Sequence, residues 1–144
     1  MITDKKILVI GSGVSGTGAV ELLEKAGASP ILYDSNDRLT EEEVRSRLPE
    51  GSRARIILGA LPEEVKKETE LVILSPGVPV DLPLVEDMRR NGAKIWGEVE
   101  LAWHFGKGKV AAITGTNGKT TTTTLVGEIF KSWFPEVFVV GNIG

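Results

Sequence analysis

The sequence predicts an α/β fold, a Rossmann-like parallel sheet of five strands in the order 3-2-1-4-5, followed by the truncated start of a P-loop ATPase domain. Three observations carry this expectation. Short, almost wholly apolar runs alternate with segments of helical spacing, as in strands covered by helices on both faces. Glycines, seventeen in 144 residues, punctuate the ends of those runs. Two glycine-bearing loops, Gly11 to Gly16 and Gly115 to Lys119, each follow an apolar run and open a helix.

The first strand is read at Ile7 to Ile10 and the first helix at Ser15 to Ala26, with Gly27 where a helix commonly ends. Ile31 to Tyr33 forms the second strand. Thr40 then begins a helix over Glu41 to Leu48, whose acidic first turn suits the helix dipole. Strands at Arg55 to Leu58, Leu71 to Leu74 and Lys94 to Trp96 alternate with helices at Pro62 to Lys67 and Leu82 to Asn91. From Gly97 a short helix reaches His104, and Gly106 to Lys109 reads as a flexible join. Residues 1–96 are thus assigned to the first domain, 97–108 to a linker and 109–144 to a second domain. In that second domain Val110 to Ile113, Lys119 to Trp133 and Val137 to Val140 read as strand, helix and strand. Two strands and one helix do not complete a nucleotide-binding sheet, so the chain is expected to be truncated. Its unpaired strand edges could then pair with a second copy. The alternative is that this βαβ unit extends the first sheet.

Composition narrows the chemistry. Seventeen Lys plus Arg against 20 Asp plus Glu leave a net charge of -3, which does not suggest nucleic acid as a partner. No apolar run approaches the roughly 20 residues of a membrane helix, and a cytoplasmic setting is expected. With no cysteine and one histidine, the chain offers no thiolate nucleophile, disulfide frame or zinc knuckle. The lone His104 is assigned no role. Trp96, Trp103 and Trp133 are read as core or domain-contact residues, since no basic patch surrounds them.

Gly11-Ser12-Gly13-Val14-Ser15-Gly16 matches the G-x-G-x-x-G pattern between a strand and a helix. The first glycine permits a tight turn and the second lets backbone approach a phosphate. The third lets helix and strand pack closely, so that a pyrophosphate can sit on the helix N-terminus. Asp34, 18 residues beyond Gly16, ends the second strand where an acidic residue would accept bonds from a ribose, which by itself says NAD; an ordinary turn former before Ser35-Asn36-Asp37 is the competing reading. Ser75-Pro76-Gly77 ends the fourth strand at the same crevice, either as a turn or as a ligand contact.

The second loop is sharper. In Thr114-Gly115-Thr116-Asn117-Gly118-Lys119-Thr120 the backbone N–H groups would cradle phosphates. The Lys119 ammonium would neutralise the β and γ oxygens of ATP, and the Thr120 hydroxyl would reach Mg²⁺. Ile113 stands where the full P-loop pattern has glycine. Thr121 lies in the first helical turn, where it can cap or touch phosphate, and the later threonines can bond back to carbonyls one turn earlier.

A Rossmann-like phosphate site followed by an ATP loop reading Thr-Gly-Thr-Asn-Gly-Lys-Thr-Thr resembles the Mur ligase family, which builds the peptide of bacterial cell-wall precursors. Gly-Ser-Gly-Val-Ser-Gly, Ser75-Pro76-Gly77-Val78-Pro79, Gly97-Glu98-Val99-Glu100-Leu101 and Gly141-Asn142-Ile143-Gly144 share in the resemblance. It implies the N-terminal part of an ATP-dependent ligase joining D-glutamate to UDP-N-acetylmuramoyl-L-alanine through an acyl phosphate. UDP rather than NAD would then occupy the first domain. Gly13, Val14 and Ser15 would contact the diphosphate, Asp34 and Ser35 the uracil side, Ser75 the substrate near the phosphates, and Asn142 the substrate from the second domain. Gly115, Thr116, Asn117, Gly118, Lys119, Thr120 and Thr121 would hold ATP, with Lys119 and Thr120 as catalytic groups and Thr120 as the Mg²⁺ ligand.

Overall fold

The computed structural model describes residues 2–141, which divide into two compact units between Gly106 and Lys107. In the first unit, β1 (Ile7–Ile10), β2 (Ile31–Asp34), β3 (Arg55–Leu58), β4 (Leu71–Leu74) and β5 (Lys94–Gly97) form one parallel sheet of order β3-β2-β1-β4-β5. The expected topology is therefore the observed one. Register is direct, with Leu8 opposite both Ile31 and Val72.

Side chains of a strand alternate between faces, and here each face has its own core. Ile7, Val9, Leu32, Leu71 and Ile73 pack with Val20 and Leu23 of α1 (Val14–Lys25), with Val44 of α2 (Glu41–Arg45) and with Leu101. Leu8, Ile10, Tyr33, Val72 and Leu74 pack with Val65 of α3 (Glu63–Glu68) and with Val85 and Met88 of α4 (Pro83–Arg90). Each fully buried aliphatic side chain contributes about 1.5–3 kcal/mol, which is why four-residue strands suffice.

Several boundaries differ from the sequence reading for local reasons. Pro62 and Leu82 stand outside α3 and α4 as extended N-caps. The second helix ends at Arg45 rather than Leu48, and the chain continues in tighter turns, with Arg47 and Leu48 amides donating to Val44 and Arg45 carbonyls. Thr40 closes a capping box: its hydroxyl accepts from the Glu43 amide while the Glu43 carboxylate accepts from the Thr40 amide at 2.8 Å.

The short helix expected from Gly97 is present, within the stretch assigned to a linker. α5 (Glu98–Phe105) belongs to the first unit, because Leu101 is buried in its core and Phe105 packs beside it. His104 lies between the rings of Trp96 and Phe105, with centroids 5.2 Å from each. Trp96 packs against the core as expected, but Trp103 and Trp133 are exposed. Trp103 is two positions from Leu101, about 200° around the helix, and so faces away from the sheet.

In the second unit α6 (Lys119–Lys131) is present, but Val110 to Ile113 and Val137 to Val140 are not strands. Apolar composition alone does not make a strand: neither segment has a ladder partner among the described residues. Among the described residues no strand beyond Gly97 extends the first sheet. Val139 packs on α6 at Gly127, where an added Cβ would lie 2.4 Å from its Cγ2.

Gly16 and Gly18, two positions apart on α1, have opposite constraints. A Cβ on Gly16 would lie 1.8 Å from the Gly11 carbonyl oxygen, whereas one on Gly18 would meet nothing within 4 Å. Gly16→Ala is expected to destabilise the chain by about 3 kcal/mol through overpacking. Gly18→Ala should stabilise it by about 0.5–1 kcal/mol through helix propensity. Urea denaturation of the two variants checks both signs.

Candidate functional site

The topological switch point of this sheet lies between β1 and β4, and the glycine-rich turn sits at its carboxyl end. The ladder continues into the turn on both sides: the Gly11 amide donates to Tyr33 O at 2.8 Å and the Ser75 amide to Ile10 O at 3.1 Å. Gly11 has φ +102, and a Cβ there would crowd Ser75 Oγ at 2.9 Å. Ser75 Oγ donates to Gly11 O at 3.4 Å. These approaches bring α1 to the sheet with its N-terminus at the switch point.

No side chain caps α1. Its N-cap is Gly13, which is extended at φ -74 and makes no side-chain cap bond. The first-turn amides of a helix have no intrahelical acceptor, so those of Val14 and Ser15 face outward with the positive end of the dipole. Val14 is 93% exposed beside them. A cleft of about 450 Å³ runs along the flank of α1 from Val14 to Glu21, opposite Arg47 and Leu48, and is not lined by Gly13, Ser15, Asp34 or Ser75.

Asp34 is brought to this loop. Its Oδ2 accepts from the Ser12 amide at 2.9 Å and the Ser12 hydroxyl at 2.6 Å, and its Oδ1 from the Asn36 amide at 3.0 Å. Burial works to raise the carboxyl, but the Ser12 hydroxyl, the Asn36 and Ser12 amides and the nearby Arg47 guanidinium outweigh it. Together they hold Asp34 below the usual aspartate value. Ser35 follows, exposed. The structure thus gathers Gly13, Val14, Ser15, Asp34 and Ser75 around one turn.

Sequence reasoning missed two residues there. Ser12 occupies a variable position of the glycine motif. Arg47, whose Nη1 donates to Ser12 O at 3.4 Å, arrives from the turn after α2 with no local signal.

In the second unit Gly118 takes the left-handed φ of +73 as the N-cap of α6, again without a side-chain cap, and Gly115 has φ +150. Lys119 Nζ folds back onto its own loop, donating to Gly115 O at 2.5 Å and Thr116 O at 3.4 Å. Among the described residues it has no carboxylate partner. Thr116, Asn117, Thr120 and Thr121 are exposed around it. Thr123 and Thr124 hydroxyls donate to Lys119 O and Thr120 O at 2.8 and 2.9 Å, the backward bonds expected of them. Among the described residues no cluster of three His, Asp or Glu could hold a metal, and no helix is long and apolar enough to cross a membrane. Asn142 lies outside the described residues.

A parallel sheet of this order with a glycine-rich turn at its switch point defines a Rossmann-type domain. Within that class, residues 5–97 match the Mur ligase MurD-like N-terminal domain, and the chain belongs to that family. It is 56% identical over 140 residues to the UDP-N-acetylmuramoylalanine--D-glutamate ligase of Lachnoclostridium phytofermentans, covering 97% of this chain and 31% of that protein. Against the ligase of the same name from Lachnospira eligens it is 49% identical over 143 residues, covering 99% and 32%. The chain therefore spans about a third of the length of the curated relatives it matches. Among solved structures, a pseudomurein peptide ligase type C from Methanothermus fervidus superposes with a TM-score of 0.55 at 26% identity, covering 90% of this chain and 26% of that one.

Asp34 links the loop to pH. A carboxyl whose folded value lies below the ordinary 3.8 contributes stability that is complete above that value. The contribution is lost as the pH falls through the folded value. Asp34→Asn is expected to be less stable than the unsubstituted chain at pH 7, with the difference shrinking below about pH 4. Urea titrations at pH 7 and pH 3 measure it; a pH-independent difference would show that the charge contributes nothing.

Proposed function

We propose that this chain is the N-terminal part of an ATP-dependent ligase that joins D-glutamate to UDP-N-acetylmuramoyl-L-alanine in peptidoglycan precursor synthesis. The observation that carries the reading is the pair of uncapped helix N-termini, each opened by a glycine loop in its own unit. The relatives supply the chemical identity, since both curated ligases align along nearly the whole chain.

In this reading the first loop holds the diphosphate of the UDP substrate on the amides of Gly13, Val14 and Ser15. Val14 offers apolar surface beside it, Asp34 and Ser35 bound the uracil side, and Ser75 closes the crevice from β4. Asn142 would meet the substrate from the second unit. The second loop fits ATP: Gly115 and Gly118 adopt backbone angles that other residues rarely take, leaving the Gly115 to Thr121 backbone open to an anion. Lys119 and Thr120 are the reacting-end groups. The Lys119 ammonium, held now only by carbonyls, is available to phosphate oxygens. The Thr120 hydroxyl would be the ligand this stretch of chain offers to Mg²⁺, an ion that commonly takes waters, phosphate oxygens and carboxylates in its other positions.

ATP would supply the γ-phosphoryl group that turns the substrate carboxylate into an acyl phosphate, with ADP leaving; the D-glutamate amine would then attack the acyl carbon, forming the amide and releasing inorganic phosphate. The protein's share in that first step is position and charge. Lys119 and the loop amides offset the negative charge gathered between carboxylate and phosphate, and this is worth most where the donors are already in place.

A nicotinamide-binding redox or sensor domain is less well supported. The carboxylate that a ribose would need already accepts from Ser12 twice and from Asn36 once. Asp34 is thereby an organiser of the loop.

In the intact ligase, Lys119→Ala is expected to lower ATP-dependent amide formation by about 10²–10³-fold or more, as for other lost charge-stabilising donors. Phosphate release coupled to D-glutamate addition measures it. Unchanged turnover in that variant would remove the second loop from the reaction.

A further inference from the structure

The Ser12 peptide is where three parts of the first unit meet. Its amide and hydroxyl donate to one oxygen of Asp34, at the end of β2, and its carbonyl accepts from Arg47, in the turn after α2. Ser12 is 1% exposed, so every polar atom it has is committed inside the protein. The Asn36 amide fixes the other Asp34 oxygen, so the carboxylate itself is held at both ends.

Immediately beyond lies Gly13, the N-cap of α1. A Cβ there would meet nothing within 4 Å, so Gly13 has no packing of its own to hold its peptide in place. Its orientation is inherited from its neighbours: from Gly16 pressed on the Gly11 carbonyl on one side, and from Ser12 on the other. The geometry points to Ser12 as the positioning residue of the diphosphate loop. It does not face the ligand; it anchors the peptide before Gly13 and so sets the direction of the Gly13, Val14 and Ser15 N–H groups. The inference rests on the reading of Gly11 to Gly16 as the UDP diphosphate site. It adds that the Asp34 carboxylate acts on phosphate affinity through Ser12.

Preorganisation explains why this matters. Amides already aimed at an anion do not lose ordering entropy when it binds. Without the Ser12 hydroxyl, Asp34 keeps only the amide bond to this residue, and the peptide can rock about it.

The test titrates the 144-residue chain with UDP and, separately, with uridine, by calorimetry or NMR. Ser12→Ala is expected to weaken UDP binding by about tenfold, the scale of one hydrogen bond to a charged group. Uridine binding should fall by much less, since the hydroxyl's main effect is on the diphosphate amides. Ser12→Cys, which fills the same space with a poor donor, should show the same loss. In the double variant with Asp34→Asn, removing the Ser12 hydroxyl should cost UDP affinity little beyond the Asp34→Asn loss, because the two residues act as a unit. Equal UDP affinity in the unsubstituted and both Ser12 chains would overturn the inference and leave the UDP reading standing. Equal losses for UDP and uridine would overturn it too, by placing Ser12 on the nucleoside side. An unsubstituted chain that binds no UDP would overturn the reading of the loop and this inference with it.

Discussion

No side chain fits between Gly16 and the carbonyl of Gly11, and the rest of the first unit is arranged around that contact. It fixes the first turn of α1 against the end of β1, closer than any Cβ allows. Val20 and Leu23 then fall onto the sheet face formed by Ile7, Val9 and Ile73. The helix that results has its uncapped end at the sheet's switch point, so one steric constraint sets both the packing of the core and the direction of the dipole.

Electrostatics complete what sterics begin. Asp34 is a negative charge held close to a helix N-terminus, yet it does not cap that helix; it binds the residue before the N-cap. The amides of the first turn therefore stay free while the loop carrying them is tied down. The second unit reaches a comparable state differently. There a left-handed Gly118 opens the helix and Lys119 is parked on the loop's carbonyls, so the charge is stored as a cation rather than balanced by a carboxylate.

The sheet was legible because its strands are short, mostly apolar runs with helices between them, and such runs fit few topologies. Helix ends were less so: Pro62 and Leu82 carry extended backbone angles that composition does not announce. The short helix after Gly97 was legible too, but its membership of the first unit rests on the burial of Leu101, which no local pattern announces. Val110 to Ile113 and Val137 to Val140 misled in the opposite direction, since apolar composition marks a segment able to pair but not the presence of a partner. Both glycine loops could be seen because their residues are contiguous. The Ser12 bonds to Asp34 and Arg47 span 22 and 35 positions, and no local pattern encodes them.

The placement of β1 governs how the loop can move. β1 is the middle strand, hydrogen-bonded to β2 on one edge and β4 on the other, with helices over both faces. Amides so enclosed exchange with solvent only when the whole unit unfolds, whereas peripheral segments open by themselves. The root of the turn at Ile10 thus belongs to the slowest-opening part of the molecule, and its tip at Gly13 and Val14 stands in water. Thermal excursions there are pivots about a stationary base, and they leave the underlying sheet untouched.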